Sequence, residues 1–173
     1  NDAIPINLSP NITQPLCSNN LGTVVLQASG GSGSFTYSQD GDVYQSNNSF
    51  SNLSAGTYTF VVKDGNGCTK LVNATITTPS QLTSTIDSQV NVICKGDATG
   101  SVSIIASGGT PIYTISPSQS GLTAGLKVFT ITDANGCTKT QNVTITEPAT
   151  TLIITGPSTI CVGETIQLTP GSN

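Results

Sequence analysis

Short runs in which apolar and polar residues alternate recur along the chain, separated by turn residues. Val24, Leu26 and Ala28 alternate with polar or outward neighbours, as do Tyr58, Phe60 and Val62. Phe35 and Tyr37 form a shorter run, and Ala74 and Ile76 another. The same series returns as Val102, Ile104 and Ala106, then Tyr113 and Ile115, Phe129 and Ile131, and Val143 and Ile145. A period of two places one face of each run against a core. Asn1 to Pro10 reads as a strand and linker. No helical period intervenes, and glycine and proline punctuate the chain closely. The pattern predicts an all-β fold of tandem, Ig-like antiparallel β-sandwiches.

The series is an internal repeat. Cys68 to Pro79 returns as Cys137 to Pro148 at an offset of 69, with eight of twelve positions identical. Ala28-Ser29-Gly30-Gly31 returns as Ala106-Ser107-Gly108-Gly109 at an offset of 78. The first copy therefore carries nine extra residues, around 37–51. This divides the chain into a first repeat at 1–79, a second at 80–148, and the start of a third, truncated Ig-like unit at 149–173. In Asp133-Ala134-Asn135-Gly136, Asp suits the start of a type I turn and Gly136 a left-handed residue after it. The strand ending at Thr132 is then expected to pair with the one beginning at Cys137.

Composition narrows function by exclusion. Charged residues make up 8% of the chain and His is absent. That removes Ser-His-Asp and Cys-His catalysis and any imidazole metal site. Five Lys, no Arg and a net charge of −4 leave no basic footprint for nucleic acid. No apolar run is long enough for a membrane span. With no initiating Met and no signal-peptide core, the chain reads as a piece of a longer, processed polypeptide. No enzyme constellation recurs, so a non-enzymatic role is expected.

Five Cys stand at 17, 68, 94, 137 and 161. The first four allow three pairings, and repetition favours one bridge per repeat, Cys17–Cys68 and Cys94–Cys137. Such bridges would span 51 and 43 residues and stabilise each small domain by about 4 kcal/mol in the chain-entropy model. Cys161 would stay unpaired within this chain. Bridges imply an oxidising, extracellular or periplasmic setting. A zinc site or redox pair is the alternative use, but no CxxC spacing is present.

Other polar groups suggest binding. Asp64 and Asn66, with Asp133 and Asn135, offer turn oxygens to Ca²⁺, and Asp97 would join them if a Cys94–Cys137 bridge drew it close. A plain Asx turn explains the same residues. In the insertion, Tyr44 and Phe50 could stack on a sugar while Asp40, Asp42, Asn47 and Asn48 bond its hydroxyls. A variable loop that tolerates extra residues is the simpler reading. Lys63 and Lys127 are candidates for a Lys–Asn isopeptide crosslink. Asn-x-Ser/Thr sequons occur at Asn7, Asn11, Asn47, Asn52, Asn73 and Asn142.

Several motifs together resemble the SprB-type repeat. They are Cys94 to Gly100, Gly108 to Tyr113, Leu122 to Gly125, Thr132 to Thr138 and Thr144 to Pro148. The resemblance extends over about Cys17 to Pro148. It departs from the family pattern at Lys127, where the first copy has Tyr58, and at Gly33, where the second has Pro111. Cys161 to Thr165 looks more like the start of a bacterial Ig-like domain. The resemblance implies a stalk or filament spacer in a very large surface adhesin of gliding Bacteroidetes, exported by the type IX secretion system. Its implied partners are neighbouring repeats and a surface polysaccharide, and it implies no cofactor or catalytic residue.

Overall fold

The computed structural model describes residues 4–148. The third, truncated unit expected at 149–173 and its Cys161 lie outside the described residues.

Twelve strands are present among them. The first six are β1 (Asn7–Thr13), β2 (Gly22–Ser29), β3 (Thr36–Gln39), β4 (Ser49–Leu53), β5 (Gly56–Lys63) and β6 (Thr69–Ile76). The second six are β7 (Thr83–Val90), β8 (Gly100–Ser107), β9 (Thr114–Ser116), β10 (Ser120–Leu122), β11 (Gly125–Thr132) and β12 (Thr138–Ile145). They form four three-stranded antiparallel sheets. β1-β2-β4 faces β3-β5-β6, and β10-β8-β7 faces β12-β11-β9.

Each pair of sheets closes over its own core. Val24, Leu26, Phe60, Val62 and Ile76 fill the first, and Val102, Ile104, Phe129, Ile131 and Ile145 the second. Period-two alternation is what makes this possible, because every second side chain points inward. β2 and β8 share one burial pattern along all eight positions, and so do β6 and β12. The expected hairpin is present, with Thr132 opposite Thr138 and Gly136 at φ +82°.

Both modules share a feature that alternation does not show. The chain after the first strand crosses to the opposite sheet. Gln14 donates from Nε2 to the Thr75 carbonyl and accepts the Thr77 N–H at Oε1. In the second module Asn91 Oδ1 accepts the Thr146 N–H, and the Val92 N–H donates to the Thr146 carbonyl. Val92 joins the core directly, only 3% exposed. The segment after this crossing carries the first cysteine of each module.

Candidate functional site: the clasp between modules

The repeated Gly-Gly and Asp-x-Asn-Gly motifs fold against each other at one end of each module. Asp64 Oδ1 accepts the N–H groups of Asn66 and Cys68, and its Oδ2 accepts that of Ser32 beyond Gly30-Gly31. Asp133 does the same with Asn135, Cys137 and Thr110. A Cβ on Gly31 would sit 3.0 Å from Asp64 Oδ2, and one on Gly109 would sit 2.5 Å from Asp133 Oδ2. All four glycines hold positive φ, between +58° and +75°. The Gly-Gly pair is thus required both by the turn and by the approach of the carboxylate.

Both carboxyls are buried, and both titrate below the ordinary carboxylate range. For Asp64, burial pushes the pKa up, but backbone N–H groups led by Cys68 and Ser32 outweigh it. For Asp133 the Thr110 N–H is the largest influence and lowers the pKa, while burial opposes it. Hydrogen bonds to the ionised form favour it.

The calcium candidates other than Asp97 sit in these same turns. Oδ1 and Oδ2 of Asp64 and Asp133 already accept backbone N–H groups, those of Asn66 and Asn135 among them. Asp97 stands near the other end of the second module, where its N–H donates to the Cys94 carbonyl. Among the described residues no cluster of three or more His, Cys, Asp or Glu is placed to hold a metal.

The cysteine pairing expected within each repeat is not the one found. Cys17 is bonded to Cys137, with Cα atoms 5.7 Å apart, so the bridge joins the first module to the second. Cys68 and Cys94 are exposed free thiols. The reason is strand length. Within a module, the second cysteine sits beside the Gly-Gly end, where Gly65 N–H meets the Ser32 carbonyl. The first cysteine precedes the strand that starts at the opposite end, where Gly22 meets Ile76. Eight strand residues separate the two ends by about 25 Å, against about 7 Å permitted between bridged Cα atoms. Cys94 and Cys137 are kept apart in the same way, so Asp97 is not drawn to Asp133.

Across the junction the same two ends come together. The Cys17 segment of the first module meets the Asp133 turn of the second. Asn135 Nδ2 donates to the Leu16 carbonyl at 3.3 Å and to Thr110 Oγ1 at 2.8 Å. The linker is tied to the second module too, where the Gly109 N–H donates to the Ser80 carbonyl at 2.8 Å. An open, polar cleft remains, lined by Cys17, Asn19, Ser80, Leu82 and Lys139.

The insertion does not gather its six residues into a sugar shelf. Phe50 packs inward, its ring 4.8 Å from that of Phe60. Asn48 donates from Nδ2 to the Leu26 carbonyl, and Asn47 Oδ1 accepts the Ser49 N–H. Lys63 Nζ lies 4.1 Å over the ring of Tyr44. Asp40 and Asp42 are exposed. Lys63 is thereby engaged with an aromatic face, and Lys127 Nζ donates to Thr123 Oγ1, so both crosslink candidates have other partners.

Comparison with known proteins agrees with the repeat. The SprB repeat family matches residues 9–43 and 86–121. The SprB repeat model thus matches each module once. Each match begins in the first strand of a module and runs through the cysteine segment and the Gly-Gly turn. No curated protein sequence matches the chain. Among solved structures, the crystal structure of Down Syndrome Cell Adhesion Molecule isoform 1.30.30, N-terminal eight Ig domains, is similar at a TM-score of 0.44 and 10% identity. That likeness covers 85% of this chain and 25% of the other, so the chain spans about a quarter of that structure's length. Among the described residues no helix is long and apolar enough to cross a membrane.

Proposed function

We propose that the chain is a spacer segment of a secreted cell-surface adhesin, serving surface attachment or gliding motility, with export through the type IX route. The observation that supports this most is the Cys17–Cys137 bridge. A bond from one SprB repeat to the next fixes the junction rather than the module. That suits a part whose task is to hold distance and transmit tension. A disulfide also fits an extracellular setting. The carbohydrate-binding alternative lacks a comparable observation, because Tyr44, Asn47, Asn48 and Phe50 are engaged within their own module.

Tension makes the reading testable. A pull on the two ends of the chain enters at Cys17 and leaves at Cys137, bypassing the 120-residue separation between them. At about 3.5 Å per extended residue, the bridge hides about 400 Å of contour from the load. Single-molecule extension should show this length only after reduction. Equal extension before and after reduction would remove the mechanical argument. Specific binding of the isolated chain on a glycan array would replace spacing with recognition.

A further inference from the structure

The two free thiols occupy the same positions as the bonded pair. Cys68 corresponds to Cys137 by the 69-residue offset, and Cys94 corresponds to Cys17 as the first cysteine of its module. The local geometry matches as well. The Cys137 N–H donates to Asp133 Oδ1 at 2.9 Å, and its carbonyl accepts the Asp133 N–H at 3.0 Å. The Cys68 N–H donates to Asp64 Oδ1 at 2.8 Å, and its carbonyl accepts the Asp64 N–H at 2.9 Å. At the other end, the Asn20 N–H donates to the Cys17 carbonyl at 3.0 Å and the Asp97 N–H to the Cys94 carbonyl at 3.1 Å. Leu16 precedes Cys17 and Ile93 precedes Cys94, and both are more than half exposed.

We infer that Cys68 and Cys94 are the two unjoined halves of a second and a third copy of the observed clasp. Cys94 takes the second cysteine of a repeat that follows, and Cys68 takes the first cysteine of a repeat that precedes. The partner is another repeat module of this construction. Its first-cysteine end offers a backbone carbonyl, like that of Leu16, to Asn66. Its second-cysteine end offers an Asn, like Asn135, to the Ile93 carbonyl. The two ends are different surfaces, so the contact is head-to-tail and does not close on itself. This inference goes beyond the spacer reading and rests on the geometry of the repeats alone.

The bond forms by thiol–disulfide exchange with a small-molecule disulfide. The Cys94 thiolate attacks one sulfur of glutathione disulfide and expels a glutathione thiolate. The Cys68 thiolate of a second module then attacks the Cys94 sulfur and expels the other glutathione. Two protein thiols lose two electrons and two protons, and one small disulfide becomes two thiols.

The test uses the full chain with Cys161→Ser, incubated with glutathione disulfide and mapped without reduction. A second copy of the chain stands in for the neighbouring repeat. The expected product is a ladder of linear oligomers joined by mixed Cys68–Cys94 peptides between copies. These should exceed each symmetric pair at least about fivefold, where random pairing yields roughly twofold. Adding Cys68→Ser should abolish the ladder and leave monomers capped by glutathione at Cys94. With Cys68 in place, a random mixture, an intramolecular Cys68–Cys94 bond, or monomers capped only by glutathione would overturn the inference. So would a Cys94–Cys161 bond in the unsubstituted chain, because the sequence places Cys161 as a first cysteine, like Cys94.

Discussion

The two modules share one frame and differ along its sides. Their Gly-Gly turns, buried aspartates and cysteine segments are built alike. Between β3 and β4 the first module has a longer excursion, pinned by paired hydrogen bonds between Tyr37 and Gln45. In the second, the first strand carries a bulge at Asp87 that β1 lacks. Tyr58 and Lys127 show how loosely a side position is specified. The Tyr58 hydroxyl donates to the Ser54 carbonyl at 2.9 Å, while Lys127 Nζ donates to Thr123 Oγ1 at 2.8 Å. A phenol and an ammonium each secure the turn before their strand. Position matters there more than residue type. At the ends the chemistry is fixed, since a carboxylate must accept three N–H groups from two loops.

The comparison can be broken most forcefully in the cores. Phe60 and Phe129 are both fully buried. Phe129→Ala should cost about 3–5 kcal/mol, comparable to the whole stability of so small a module. Calorimetry should then show loss of the second transition with the first retained. Phe60→Ala should do the reverse. Joint collapse would show that the modules fold as one unit.

Next come the end carboxylates. Asp64→Ala or Asp133→Ala leaves three backbone N–H groups without their acceptor and should destabilise its own module clearly, though less than the core substitutions. The pH dependence has a definite sign. The folded pKa of each aspartate lies below the ordinary value of 3.8. Their stabilisation is therefore full above the carboxylate range and is lost as pH falls below about 4, through the lowered folded pKa. Acid titration of melting temperature should show this loss in both modules. Each Ala variant should flatten it in one module only.

Reduction of Cys17–Cys137 opens a loop of 120 residues that runs through both modules. Closing a loop of that length is worth up to about 5 kcal/mol in the chain-entropy model, so both melting transitions should fall. Small-angle scattering should also show the junction loosened. Unchanged transitions would show that the bond holds the junction without stabilising either module. The smallest effect belongs to the sides. Tyr58→Phe and Lys127→Met should each cost at most about 1 kcal/mol, since both contacts are exposed.

Sequence reading recovers the cores well and the clasp poorly. Phe60, Val62, Phe129 and Ile131 are visible because alternation and burial are the same fact seen twice. β7 is not visible, because in Thr83–Val90 only Ser84 is even half-buried, so no alternation marks it. Val92 enters the second core from a loop, where no period exists to betray it. The sequence points to the wrong bridge because repetition reveals equivalence but not which end of a module a residue occupies. The missing signal is the contact between Gly-Gly and the Asp turn, which places the second cysteine a strand length from the first. Phe50 sits among Ser and Asn, which suggests a ligand surface, while its ring turns toward Phe60.

Where the first module departs from the second has a consequence for assembly. The nine added residues enter between β3 and β4, and neither end surface contains them. A module can therefore lengthen, shorten or recolour its flank without changing which neighbours it accepts. Units with unlike exteriors become interchangeable in order, as bricks of different faces share one mortar joint.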